Sequence, residues 1–441
     1  MDHCFTYRDA VSALGNALTF GVNPSLTAIT AMTEVLGWPH RKFDAVQVTG
    51  TNGKSSTARF IEALLRFHGL RTGLYTSPEL HSYTERIEVD GTPVDEEMFA
   101  RGVKVALDAA RRAGVEPTEF EILTAAALWT YRECAVEVAV LEVGMGGRWD
   151  ATSVVEPKVA VVTGVALDHT EYLGETRGEI ASDKAHIIKA RSMAILGPGT
   201  RGVERTFQRR LAAVGDAALL RAVRSKHAES PVAEDETIRY AVTRNPDAPD
   251  AATIVDVWGV EAAYGNLALR GPSYQGANLA TAIAAGEAYL GRALDSAIVG
   301  RVASETRIPG RFEVVRREPW LVVDTAHNAE GAEVLAAAIA LAWPDCEARP
   351  AVVLGVLADK DAEGIVSALA RVCGRFVAVA PGSPRALPAA ELANTIVRVT
   401  GKTPQVAHSV SAGVVSALAA NSAGAVVTGS VRTAAEAIVS G

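Results

Sequence analysis

The sequence predicts an α/β protein in two parts: a larger N-terminal domain on a mainly parallel sheet and a smaller C-terminal α/β domain. Three observations predict it. Short Val/Ile/Leu-rich runs alternate with helical stretches along most of the chain, as in parallel sheets covered by helices. At 441 residues the chain exceeds the size at which one core stops growing, so two domains are expected. A glycine-rich turn, VTGTNGKSSTARF, joins the first apolar run to the first strongly periodic helix.

DAVQV (44–48) is short and β-branched and reads as a strand, whereas Phe60, Ile61, Leu64, Leu65 and Phe67 recur at helical spacing and stop at Gly69. LRTGLYT, AVEVAVLEVG, KVAVVTGV and SMAILGP repeat the strand pattern, with helices among them. Between about Gly202 and Tyr264 the pattern weakens. Polar text such as HAESPVAEDETIRYAVTRNPDAPDAA predicts a β-rich or irregular excursion there. A small-residue helix resumes with ANLATAIAAGEAYLG, and TRIPGRFEVV then interrupts with Pro309 and Gly310, which sets expected domains of 1–300 and 301–441. In the second, WLVVDTAH, AVVLGVL, RFVAVAP, PQVAHSV and AGAVVTGS alternate with helices such as EGAEVLAAAIALA and AAELANTIVRV, a Rossmann-like arrangement.

Composition narrows the function. Apolar residues at 49% and charged residues at 21% fit a globular protein, and no apolar run approaches a membrane span. The start MDHCFTYRDA has neither a basic nor an apolar leader segment, so a cytoplasmic location and no membrane partner are expected. Cys4, Cys134, Cys346 and Cys373 lack CxxC spacing, which argues for free thiols over disulfides or zinc. A formal charge of −8, with Arg311 to Arg317 as the one basic cluster, gives no nucleic-acid footprint.

The turn carries the first chemical hypothesis. Small residues between a strand and a helix aim backbone N–H groups into one concavity, and the helix N-terminus adds partial positive charge, so the loop suits an anion. Only the core GTNGKS of the phosphate-loop pattern is present, because Val48 stands where the full pattern has glycine. Lys54 with Ser55 and Ser56 at the helix start favours a nucleotide phosphate with Mg²⁺ over a plain turn.

Other strand ends add ligands. Glu142 closes AVEVAVLEVG, and Asp168 with His169 follows the next apolar run, so carboxylates and an imidazole share the edge where open sheets bind ligands. Such oxygen and nitrogen donors suit Mg²⁺ before Mn²⁺. Ser77 in YTSPEL adds a hydroxyl, although Ser-Pro also starts turns. Lys184 in ASDKAHIIKA reads by itself as a solvated helix lysine. In the second part, Asp324, His327 and Asn328 again sit between strand and helix, Arg311 in PGRF would bind phosphate or form a surface ion pair, and VTGS ending at Ser430 forms another strand-end nest.

GTNGKSS, TSPEL, YTERI, EVGMGGRWDAT, ALDHTEYLG, DKAHI, IPGRF and DTAHN, in this order across nearly the whole chain, resemble the folylpolyglutamate synthase/dihydrofolate synthase family of the Mur ligase superfamily. The resemblance implies a P-loop-type ATPase domain followed by a glutamate-binding domain. It also implies ATP-dependent joining of L-glutamate to a pteroate or folate carboxylate through an acyl phosphate. By matching position, Thr51, Asn52, Gly53, Lys54, Ser55 and Ser56 would hold the ATP phosphates, with Asn278, Arg311 and Asp324 as further nucleotide contacts. Ser77, Glu142 and His169 would be Mg²⁺ ligands, and Lys184 would become a carbamylated ligand for a second Mg²⁺; a monovalent cation is implied as well. Lys54, Lys184, His169 and Glu142 are thus the expected catalytic set. Phe120, Asp150 and Ala151 match the pterin pocket, and His327 and Ser430 the glutamate region. A monomer with small-molecule partners only is expected.

Three positions depart from the family pattern: Ser55 for glycine, Glu79 for the histidine of TSPHL, and Ser153 for the asparagine of DATN. Glu79 places an anion beside the expected metal and acceptor, which bears on the acceptor more than on the reaction. The rival expectations are a ligase for another carboxylate and a nucleotide-binding module without catalysis.

Overall fold

The computed structural model describes residues 5–17, 24–215 and 219–440. Cys4 lies outside them; Cys134, Cys346 and Cys373 are free thiols. The chain forms two compact units. One comprises Met1–Ala241, Asp256–Gly265 and Ala277–Thr306, the other Val242–Val255, Asn266–Gly276 and Arg307–Gly441.

The strands of the larger sheet are β1 (Asp44–Thr49), β2 (Thr72–Tyr75), β3 (Ile87–Val89), β4 (Thr92–Pro93), β5 (Val138–Glu142), β6 (Val159–Gly164), β7 (Met193–Gly199), β8 (Leu219–Ser225), β9 (Thr237–Arg244), β10 (Thr253–Trp258) and β11 (Ala263–Leu269). Their order is β11-β10-β9-β8-β7-β6-β1-β5-β2-β3-β4. β1 is central and runs parallel to β5 and β6, with Val48 opposite Glu142 and Val161. β2 is parallel to β5. The loops after β1, β2, β5 and β6 therefore emerge along one edge. Because helices cover both faces of such a sheet, these strands are apolar throughout rather than alternating, and Val46, Val48, Val138, Val140 and Val161 are all buried.

The expected excursion contains a helix the sequence reading did not foresee, Glu204–Val214, with Phe207 its buried anchor. Its apolar stripe of Phe207, Leu211 and Val214 is short and set among Glu204, Arg205, Arg209 and Arg210, a brief periodic signal inside polar text. The rest is β-rich, as expected: β8 and β9 extend the parallel sheet beyond β7.

The second sheet holds β12 (Glu313–Arg317), β13 (Trp320–Val323), β14 (Ala351–Leu354), β15 (Phe376–Ala378), β16 (Gln405–Val406) and β17 (Ala425–Thr428), in the order β12-β13-β17-β14-β15-β16. All its neighbours are parallel except β12 and β13. PQVAHSV contributes only the two-residue edge strand β16. Asp324 and the 428–430 segment leave adjacent parallel strands, β13 and β17, at the same end.

Candidate active site

Three strands end in the same tripeptide, Val-Thr-Gly, at 48–50, 162–164 and 427–429. In the first unit this repetition builds the phosphate loop. The Thr163 hydroxyl donates to the Asn52 carbonyl at 2.6 Å and sits 3.3 Å from that of Thr49. The Thr51 hydroxyl accepts from the Ala166 amide at 3.0 Å. A Cβ on Gly50 would fall 1.9 Å from the Thr163 hydroxyl, so only glycine allows this approach. Gly53, left-handed at φ 82°, turns the chain into the helix Lys54–Phe67 and packs on the Asn278 side chain, which a Cβ would meet at 2.6 Å. A loop wrapped around a helix N-terminus and braced by β6 has the strand–loop–helix form that suits an anion.

Expected site residues converge on it. Glu142, 1% exposed, accepts from the Ser55 hydroxyl at 2.8 Å and from the Ser77 amide at 3.2 Å, joining the ends of β1, β2 and β5. The Ser55 departure is thereby explained: its hydroxyl adds a hydrogen bond to Oε1 of a buried carboxylate. Lys54 Nζ donates to the carbonyls of Gly50 and Thr51 at 3.1 and 3.2 Å. Lys184, 4% exposed, donates to the same Gly50 carbonyl at 3.1 Å. Burial, and then the Lys54 charge, push the Lys184 amine down to about 7, against the pull of Asp183, Asp168 and Asp150. A solvated helix lysine is excluded by these facts.

His169 is exposed, has a left-handed backbone and opens the short helix Thr170–Leu173 after β6; its amide donates to Asp168. Among the described residues no three His, Cys, Asp or Glu side chains form a metal cluster. The Glu142 carboxylate and Ser77 hydroxyl are nevertheless hard oxygen donors that suit Mg²⁺, an ion that keeps water and phosphate oxygens in its shell.

Phe120 and Asp150, two of the residues expected at a pterin pocket, meet at Gly144 in the turn that follows Glu142. A Cβ on Gly144 would strike the Phe120 ring at 2.7 Å and come within 3.2 Å of Asp150 Oδ2, so both side chains close on that glycine. Phe120 is half-buried and tilts against Tyr75, with ring centroids 5.8 Å apart. Asp150 accepts from the amides of Met145 and Thr152, and burial raises its carboxyl despite them. Ala151 begins the helical turn that Asp150 caps. Ser153 donates to the Gly147 carbonyl at 2.6 Å and accepts from the Gln47 amide at 3.0 Å, so this departure also preserves a buried bond.

Glu79 pairs with Arg86, whose guanidinium also lies 3.9 Å from Glu119. The anion expected beside the metal and acceptor is half of an ion pair.

In the second unit, buried Asp324 accepts from the Phe312 and Ala326 amides, each at 2.8 Å, and from the Tyr274 hydroxyl at 3.2 Å. Burial raises its carboxyl, and Arg311 acts most strongly in the opposite sense. His327 Nδ1 is 3.0 Å from the Thr325 carbonyl. Ser430 is buried and accepts from the Thr433 amide at 3.0 Å, capping the helix Val431–Ser440. The Ala326 carbonyl accepts from the Gly429 amide at 3.1 Å, which keeps the 327 and 430 positions on neighbouring turns. Sequence reasoning missed Thr163 and Tyr274. The Val-Thr-Gly repetition would have found the first; nothing in PSYQGAN marks the second.

The Mur ligase middle domain matches residues 48–197 and the Mur ligase glutamate ligase domain residues 310–430. The dihydrofolate synthase/folylpolyglutamate synthase of Mycobacterium tuberculosis is 37% identical over 390 residues, covering 84% of this chain and 77% of that one. The chain belongs to the folylpolyglutamate synthase/dihydrofolate synthase family. It is therefore an ATP-dependent ligase of the Mur type. Escherichia coli FolC in complex with DHPP and ADP shares 28% identity at a TM-score of 0.83, over 98% of this chain and 97% of that one. The bifunctional enzyme of Yersinia pestis complexed with AMPPNP and a Mn ion shares 26% identity at a TM-score of 0.84, over 98% and 97%.

Proposed function

We propose that this chain joins L-glutamate to dihydropteroate, to tetrahydrofolate or to both through an acyl phosphate. The observation that supports it most is the edge of the larger sheet. There Ser55, Ser77 and Glu142 interlock beside Lys54 and Lys184, and the turn that follows Glu142 closes Phe120 and Asp150 around Gly144.

Amide formation from a carboxylate is uphill in water, so the acceptor is activated first. An acceptor carboxylate oxygen attacks the γ-phosphorus of ATP and the bond to the ADP oxygen breaks. The glutamate amine then attacks the acyl carbonyl, the carbon–oxygen bond to phosphate breaks, and the amine proton is lost to solvent. Positioning and charge neutralisation carry most of such a transfer. Lys54 and the loop amides hold the phosphates, leaving their present carbonyl partners to do so. Phe120 stacks on the flat heterocycle, and Asp150 fixes the turn that lines it. Arg311 and Asp324 contact the nucleotide, Asn278 supports the loop at Gly53, and His327 and Ser430 line the glutamate region.

Ser77, Glu142 and His169 would hold Mg²⁺, which supplies neutralising charge to the phosphates. Carbamylation of Lys184 converts a buried cation to an anion: the neutral amine nitrogen adds to CO₂ and releases one proton. An amine held near 7 is suited to this. A second Mg²⁺ and a monovalent cation complete the reading, with a single chain acting as a monomer in the cytoplasm.

The test is phosphate release from ATP with Mg²⁺ and L-glutamate, with dihydropteroate and then tetrahydrofolate, and product identification by mass. A glutamate-dependent mass gain on either acceptor is expected. Release without any gain, or no release with either acceptor, refutes the assignment.

A further inference from the structure

We propose that Glu79 sets the charge selectivity of the acceptor site, favouring a pteroate with one carboxylate over folates whose glutamate tail carries more. This rests on the reading of Ser77 and Phe120 given above. The segment from Ser77 to Arg86 leads from the Glu142 side of the edge to the helix Glu119–Glu133, whose second residue is Phe120. An acceptor reaching from that ring to the phosphates passes beside it.

The segment's donors are taken by the protein's own acids. The Glu85 carboxylate accepts from the amides of Leu80, His81 and Ser82 at 2.9, 3.2 and 3.1 Å. Buried Arg86 is held by Glu79 on one side and Glu119 on the other, with its guanidinium carbon 5.3 Å from the Tyr83 ring centroid. The Tyr83 hydroxyl donates to Glu119 as well, at 2.8 Å. Two carboxylates, Glu79 and Glu119, thus face one guanidinium while a third, Glu85, is turned to backbone amides, and the exposed His81 ring is the remaining basic group of the segment. The surplus is negative. A mono-acid acceptor brings its single carboxylate to the reaction centre, whereas each added glutamate brings an anion toward this surplus and finds Arg86 occupied. Like-charge juxtaposition of this kind rejects the wrong partner more than it strengthens the right one. A neutral residue at position 79 would take away one of the two anions, leave Arg86 balanced by Glu119 alone, and so remove the negative surplus that a tail meets.

The experiment compares wild type, Glu79→Gln and Glu79→Asp by phosphate release at saturating ATP and glutamate, with dihydropteroate and with tetrahydrofolate monoglutamate. Glu79→Gln is expected to raise the ratio of kcat/KM for the folate over that for the pteroate by roughly three- to tenfold. The change should appear in the KM for the folate, shrink with added salt, and leave the KM for ATP unmoved. Glu79→Asp should keep the wild-type ratio. A Glu79→Gln ratio within about twofold of wild type, or an equal loss on both acceptors, overturns the proposal, as does a Glu79→Asp shift as large as that of Gln. Wild type active on neither acceptor overturns the functional reading itself, and this proposal with it.

Discussion

Replacing Lys184 tests both the chemistry and the electrostatics. At pH 7.5 an ordinary lysine is neutral in about one molecule in a thousand, but one held near 7 is neutral in roughly three of four. That gain of several hundredfold in reactive amine is what a carbamylation step requires. Lys184→Ala should abolish glutamate ligation, and short carboxylic acids such as acetate should restore part of it by occupying the place of the carbamate. The same shift makes a stability prediction. The folded pKa lies below the unfolded one, so between about 7 and 10.5 the unfolded chain binds the extra proton and stability rises with pH. The penalty is complete below pH 7, with an upper limit on the order of 5 kcal/mol. Lys184→Met should therefore be inactive yet more resistant to urea than wild type at pH 6.5 in CO₂-depleted buffer, with the advantage vanishing toward pH 10.5. Full activity of the unrescued Ala variant, or a Met variant no more stable at pH 6.5, would refute the reasoning.

Glu142→Gln removes the charge and exchanges one of the two oxygens that accept from Ser55 and Ser77 for an amide donor, and should lower kcat while flattening the Mg²⁺ titration; an unchanged titration removes Glu142 from the metal. Tyr274→Phe takes one of three donors from Asp324 and should raise the KM for ATP several-fold, about 1 kcal/mol, with kcat nearly constant. A change confined to the melting temperature would make Tyr274 merely structural. Gly146→Ala would set a Cβ 2.2 Å from Asp183 Oδ1 at φ 68° and should destabilise by about 1–3 kcal/mol, read as a lower urea midpoint. An unaltered midpoint would show that the helix carrying Asp183 moves aside freely.

The strand ends were legible because parallel strands buried on both faces are apolar runs stopped by polar residues; Glu142 and Asp324 stand at such stops, and His169 follows one in the loop after β6. The phosphate loop was legible because positive φ and close approach demand glycine at 50 and 53. What lay hidden depends on side-chain orientation. The Lys184 sequence does not differ from that of an exposed helical lysine, and only the fold turns it toward Gly50. Tyr274 and Asp324 are fifty positions apart. Glu79 looked like a misplaced charge because its partner, seven residues later, is brought close only by the turn between them.

The chain passes from one compact unit to the other five times, after residues 241, 255, 265, 276 and 306. Cutting the gene at the last crossing would strand Val242–Val255 and Asn266–Gly276 on the wrong fragment, with Tyr274 severed from Asp324. The two halves of this ligase are modules in space but not along the gene. Swapping the second unit with a relative's would require transplanting three separate pieces together.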